Sequence, residues 1–231
     1  MNLRTLIYSL AILLSALNTN AHASLIIFQE NFNGLSQYQT TGTGVGSNTD
    51  FFTQLPNTNL SLGFIPSNTA NDPYFGGRDL NGFTSTGAHQ LSFYNLDLSR
   101  YDNISLSISL AALDQHVYEA NDQLTLSASH DGGKQYSTLD QFHGATYGAL
   151  LSNGVEQLGR QFKTFTYHLN DIEQLSFRIE ALSFNGANEA FAFDSIKIQA
   201  TEKQIGVPTP SSLLLCLGGL LLLIIQQKSR R

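Results

Sequence analysis

Two carboxylates stand out by their phase. In the strand-like run that opens the body, Ile26, Phe28, Glu30 and Phe32 share a parity, and near its end Ala192, Asp194, Ile196 and Ile198 do the same. Each run puts an acid in step with inward apolar side chains. An inward charge is costly unless it is paired, hydrogen-bonded or bound to a metal. Terminal strands of many sandwiches lie side by side, so Glu30 and Asp194 are expected to converge at one sheet edge. Two hard oxygen ligands plus loop carbonyls would suit a structural Ca²⁺, an ion that takes about six to eight oxygens. The competing account has each acid pair with an arginine or cap loop amides. A carboxylate pair for glycoside hydrolysis needs an open cleft and about 5–10 Å between the acids, and nothing in this spacing argues for a cleft.

Other chemistries find little to work with. There is no Gly-x-Ser-x-Gly elbow, and the sole cysteine, Cys216, lies in the apolar C-terminal run. His89, His116, His130, His143 and His168 show no i, i+4 pair or His-Glu-x-x-His spacing of the kind zinc needs. Gly42 to Gly46 lacks the Lys-Ser/Thr that completes a phosphate loop. Sugar binding is the remaining possibility, because Tyr74, Phe75, Tyr118 and Tyr147 fall in loop-like stretches, with Tyr74 and Tyr147 the foremost candidates for glycan contact. The bland alternative makes them turn anchors packed on the rim, and tryptophan, the best sugar platform, is absent. The expectation is a protein that is not an enzyme.

The elements that must position these groups read as strands. Apolar alternation at period two runs through the body, and no helical period is sustained before the C-terminal tail. Strands are expected at Leu25 to Phe32, His89 to Leu96, Asn103 to Ala111, Gln123 to His130, Tyr136 to Phe142, Phe162 to Leu169, Gln174 to Phe184 and Ala190 to Ala200, with a brief one near Leu60 to Ile65. The clearest is the third of these, where Ile104, Leu106, Ile108 and Leu110 face one way and Ser105, Ser107 and Ser109 the other. Asp131-Gly-Gly-Lys134 reads as a hairpin turn. Gly34 to Asn59 reads as long loops with at most short strands, and Asn71 to Gly82 and Gly144 to Gly159 read as loops. Short strands, long loops and no covering helices predict an all-β fold of two packed antiparallel sheets, a jelly-roll sandwich, with a closed barrel as the lesser alternative.

Both ends read as addresses. Arg4, the apolar run Leu6 to Leu17 and Ala21-His-Ala23 make residues 1–23 a signal peptide. Residues 24–200 form the sandwich and 201–206 a linker. Residues 207–231 hold Val207-Pro-Thr-Pro-Ser-Ser, an apolar run ending at Ile225, and the basic Lys228, Arg230 and Arg231. Ser211 to Ile225 would reach only about 22 Å as a helix, marginal for a permanent span and suited to transient retention. All 18 acidic residues fall in the exported body, which disfavours nucleic acid as a partner. With no cysteine in that body, stability must come from the core or a metal.

These residues support two resemblances. The tail resembles a PEP-CTERM sorting signal of Gram-negative bacteria, carried by Val207, Pro208 and Pro210, the serines, the apolar segment and the basic end, with Thr209 where that family usually has Glu. The resemblance implies export across the inner membrane, a membrane-anchored intermediate, and an exosortase-type transpeptidase that cuts near the Pro-x-Pro and passes the body to the cell surface or an extracellular polysaccharide matrix such as biofilm. The body resembles secreted galactose-binding-like jelly-roll domains through Phe28-Gln-Glu-Asn-Phe32, Tyr74-Phe-Gly-Gly-Arg-Asp79-Leu80, Asn121-Asp122-Gln-Leu-Thr-Leu and Phe193-Asp194-Ser-Ile. That likeness implies Ca²⁺ at Glu30 and Asp194, with Asp79 and Asp122 as poorer candidates. It implies binding or packing rather than an activity, with a carbohydrate-binding module as the alternative function and a polysaccharide hydrolase a distant third.

Overall fold

The structure, a computed structural model, describes residues 23–34, 37–42, 44–45, 50–55, 73–80, 88–113, 118–145, 150–152, 156–184, 186 and 188–203. In chain order the strands are β1 (Leu25–Glu30), β2 (Gln39–Thr41), β3 (Gly44–Val45), β4 (Phe51–Leu55), β5 (Tyr74–Arg78), β6 (His89–Asp97), β7 (Tyr101–Ala112), β8 (Gln123–Ser129), β9 (Ser137–Gly144), β10 (Leu150–Ser152), β11 (Glu156–Gln157), β12 (Lys163–Leu169), β13 (Gln174–Leu182) and β14 (Ala190–Glu202). They form two seven-stranded sheets in which every pair is antiparallel. The first sheet runs β12-β7-β14-β5-β4-β3, with β1 also on β14; the second runs β11-β10-β9-β8-β13-β6-β2. From β5 to β8 and again from β11 to β14 the chain changes sheet at each step, so the two layers are laced together as a sandwich.

Alternation builds the core. Ile104, Leu106, Ile108 and Leu110 of β7 are buried between the sheets beside Leu124 and Leu126 of β8 and Phe177 and Ile179 of β13. The serines of β7 face outward in a hydroxyl ladder with β12, Ser109 to Thr164 at 2.9 Å and Ser107 to Thr166 at 3.0 Å. Aromatic side chains fill the centre, with Phe93 stacked on Phe177 at 4.4 Å and Phe75 on Phe193 at 6.1 Å.

Two departures from the sequence expectation are explained by close packing or a bulge. Tyr74–Arg78, expected within a loop, is the strand β5 that pairs with β4 and β14. Its Gly76-Gly77 lacks strand character, yet a Cβ at Gly77 would overlap the ring of fully buried Phe191. Only glycine lets the two strands approach there. Strand β14 carries a bulge between Asp194 and Lys197, with Ser195 at φ 48°. The extra residue reverses the alternation. It also marks the seam where β14 exchanges β5, paired at 190–193, for β1, paired at 196–200. The last strand continues through Glu202, into the expected linker.

Candidate functional site

The bulge separates the two acids that the sequence pairs. Glu30 lies opposite Ile196, on the core face. Asp194 lies opposite Ser109, and directly opposed residues share a face, so it belongs to the outer side of the same sheet. The expected shared parity of Asp194 and Ile196 is therefore corrected, and the structure does not bring Glu30 and Asp194 together on one face. Glu30, buried, instead closes the chain that follows it: Oε1 accepts the Phe32 N–H at 2.7 Å and Oε2 the Gln37 N–H at 3.3 Å. The amide-capping account fits it.

Tyr74 is also corrected as a glycan platform. Its ring is 4% exposed and packs edge-on against Phe162 at 6.0 Å, and burial pushes its phenol up to about 12. Tyr147, Val207, Pro208 and Pro210 lie outside the described residues, as do residues 1–22 and 204–231.

A different aromatic and polar strip is assembled on the outer face of the second sheet. Strand register sets two cross-strand rows: Ser92, Arg178, Ser127 and Thr138 in one, Gln90, Glu180, Thr125 and Gln141 in the other. Alternate residues of these strands bury the core, so these side chains must point away from it. Gln90 Nε2 donates to Glu180 Oε2 at 2.6 Å, and Arg178 Nη2 stands 3.8 Å from the same oxygen. The Arg178 guanidinium lies 4.2 Å from the ring centroid of Tyr136.

The β8–β9 hairpin positions that tyrosine. As the sequence predicts, it turns at Asp131-Gly-Gly, with Gly132 and Gly133 at φ 74° and 88°. Asp131 Oδ1 accepts the Ser129 hydroxyl at 2.6 Å and the N–H groups of Lys134 and Gln135 at 3.0 Å, and these bonds hold its carboxyl below the usual range. Tyr94, 43% exposed, comes from the bulge of β6 and flanks Gly133 together with Tyr136. Burial, then the neighbouring Tyr94, raises the Tyr136 phenol. The result is two rings beside an Arg-Glu-Gln array, a surface able to lie against sugar rings and hydrogen-bond their hydroxyls. Parity in β6 and β13 carried a faint signal for Gln90, Tyr94, Arg178 and Glu180, but none that brings them to one site.

One buried acid was also missed. Asp140 of β9 faces inward opposite Leu126, its carboxylate accepting the Ser152 hydroxyl at 2.9 Å and the Tyr167 hydroxyl at 2.8 Å. Because Tyr167 belongs to β12, this bond ties the two sheets together. Its phase with Phe142 was readable. At one end of the first sheet a cleft of about 400 Å³ is lined by Tyr101, Asp102, Asn103, Asp171 and Lys203 among others. Two of its polar groups engage their own surroundings, Asn103 donating to Thr201 Oγ1 at 3.0 Å and Lys203 to Ser99 O at 2.8 Å.

No family model matches the chain, and no curated protein matches it. Among solved structures, a cleaved adhesin domain of Lys-gingipain from Porphyromonas gingivalis is similar at 11% identity and TM-score 0.46, over 77% of this chain and 99% of that one. The CBM22-1 xylan-binding domain of Paenibacillus barcinonensis Xyn10C is similar at 12% identity and TM-score 0.40, over 80% and 99%. The CBM22-1-GH10 modules of a Clostridium thermocellum xylanase are similar at 9% identity and TM-score 0.45, over 80% of this chain and 30% of that one. At these scores the likenesses carry no weight for ligand or activity.

Proposed function

We propose that this chain is an exported, non-enzymatic β-sandwich that works at the cell surface or in the extracellular polysaccharide matrix, where it holds a neutral polysaccharide on the outer face of its second sheet. The observation that carries this reading is the strip formed by Tyr94, Tyr136, Arg178, Glu180 and Gln90. Rings offer flat apolar area to the faces of sugar rings, while paired charged and amide groups offer directional bonds to hydroxyls. The acidic excess of the exported body favours an uncharged polymer over an anionic one. Delivery would follow from the signal peptide and the Val207-Pro-x-Pro tail, with an exosortase-type enzyme as the processing partner.

Affinity electrophoresis of the full chain through gels containing the host's extracellular polysaccharide tests the contact. Retarded migration that is lost in Tyr94→Ala and in Arg178→Ala, both still folded, is expected. Equal migration with and without the polymer, or retardation unchanged in both variants, refutes the surface assignment.

A further inference from the structure

A cluster of three acids lies at one end of the sandwich. Glu119 and Asp122 precede β8 of the second sheet, and Glu189 precedes β14 of the first. Carboxylate oxygens of all three lie within 4.8 Å of one another. Asp122 is fully buried and Glu189 is 4% exposed, while Glu119 faces solvent.

Backbone bonds hold these acids in place. Asp122 Oδ2 accepts the Glu119 N–H at 2.6 Å, and the Asp122 N–H returns to Glu119 O at 3.0 Å. Glu189 Oε2 accepts the Gly186 N–H at 2.6 Å. The end of β9 is pressed against the same turn: the Gly144 N–H donates to Asp122 O at 3.0 Å, and a Cβ at Gly144 would overlap Glu119 O. Beside them Tyr118, fully buried, donates its hydroxyl to Ala190 O at 2.6 Å and joins the same two loops.

Within this fixed frame one atom stands apart. Asp122 Oδ1 is buried and has no hydrogen-bond partner. A buried carboxylate oxygen left without a donor, next to two further carboxylates, is expensive. Burial, and then the charges of Glu189 and Glu119, push Asp122 up to about 7 against the bond from the Glu119 amide.

We propose that Glu119, Asp122 and Glu189 bind one calcium ion that staples the loop before β8 to the loop before β14, and so one sheet to the other. Oxygens sharing an ion at about 2.4 Å can stand no more than about 4.8 Å apart, and the three carboxylates meet that limit. The donor set is all hard oxygen, with no imidazole or thiolate, and so suits calcium rather than zinc. Extracellular modules with such sites bind at about 10⁻⁴–10⁻³ M, and an ion that binds only the folded chain raises its melting temperature with concentration.

The test is equilibrium dialysis of the full chain in mild detergent against labelled Ca²⁺, with melting followed in EDTA and in rising CaCl₂ at constant ionic strength. One ion per chain and a calcium-dependent rise in melting temperature are expected. Asp122→Asn should abolish both and Glu119→Gln, at the exposed member, should weaken binding at least tenfold while leaving the fold intact. Glu30→Gln and Asp194→Asn should keep the full response. No bound calcium in the wild type, or a response lost in Glu30→Gln or Asp194→Asn but kept in Asp122→Asn and Glu119→Gln, overturns the proposal.

Discussion

Removing the hydroxyl of Tyr167 asks how much one part-buried bond between sheets is worth. The phenol reaches from β12 to Asp140 Oδ2 on β9 at 2.8 Å, and its proton is held tightly by burial and by that carboxylate. Tyr167→Phe keeps the ring that packs on the core and deletes only the donor. A bond to a charged acceptor is worth about 1.5–3 kcal/mol net. For a domain of this size each kcal/mol moves the melting temperature by about 2–4 °C, so a fall of roughly 3–12 °C is expected. Ser152→Ala removes a second hydroxyl donor, at 2.9 Å from both oxygens. Because the two hydroxyls share one acceptor, the double variant should differ from the sum of the singles by about 0.5 kcal/mol or more. Urea unfolding followed by circular dichroism measures all four corners of the cycle. A Tyr167→Phe loss below about 0.5 kcal/mol would refute the claim that this bond holds the sheets together.

In EDTA the sign of the Asp122 effect is fixed: a carboxyl raised from 3.8 to about 7 in the folded chain favours folding while protonated, so stability falls as pH rises from about 4 through 7. At about 1.36 kcal/mol per pH unit the loss is bounded at roughly 4 kcal/mol, and Asp122→Asn should flatten that slope in pH-dependent melting curves. Tyr74→Ala should cost about 3–5 kcal/mol, as loss of a buried aromatic does, while leaving the still-folded protein bound to polysaccharide in affinity gels. Deleting Pro208 to Arg231 should leave a soluble domain whose melting transition matches the full chain's; aggregation would mean that the tail belongs to the fold.

The strands were legible where alternation was clean and the site was not, because a site is made by register. Ile104 to Leu110 announced β7 through period two alone, and Asp131-Gly-Gly announced its hairpin through turn chemistry. β5 hid behind Gly76-Gly77, whose strand role comes from the Phe191 ring across the pair. A single extra residue at Ser195 turned the parity of Asp194 over, and no local pattern in Phe193-Asp-Ser-Ile announces a bulge. Asp122, ranked low from the sequence, gains its partners only because β8 and β14 begin at the same end of the sandwich. Gln90 and Glu180 are ninety residues apart and meet only through strand pairing.

Mass spectrometry of the protein from its native host, with and without the sorting enzyme, bears most directly on the claim that this is a delivered matrix component. A species beginning at Ser24, ending between Pro208 and Ser211, found with the extracellular polysaccharide and only when the enzyme is present, is the predicted result. An intact Arg231 terminus held in the membrane in both strains would make the tail a plain anchor and contradict it.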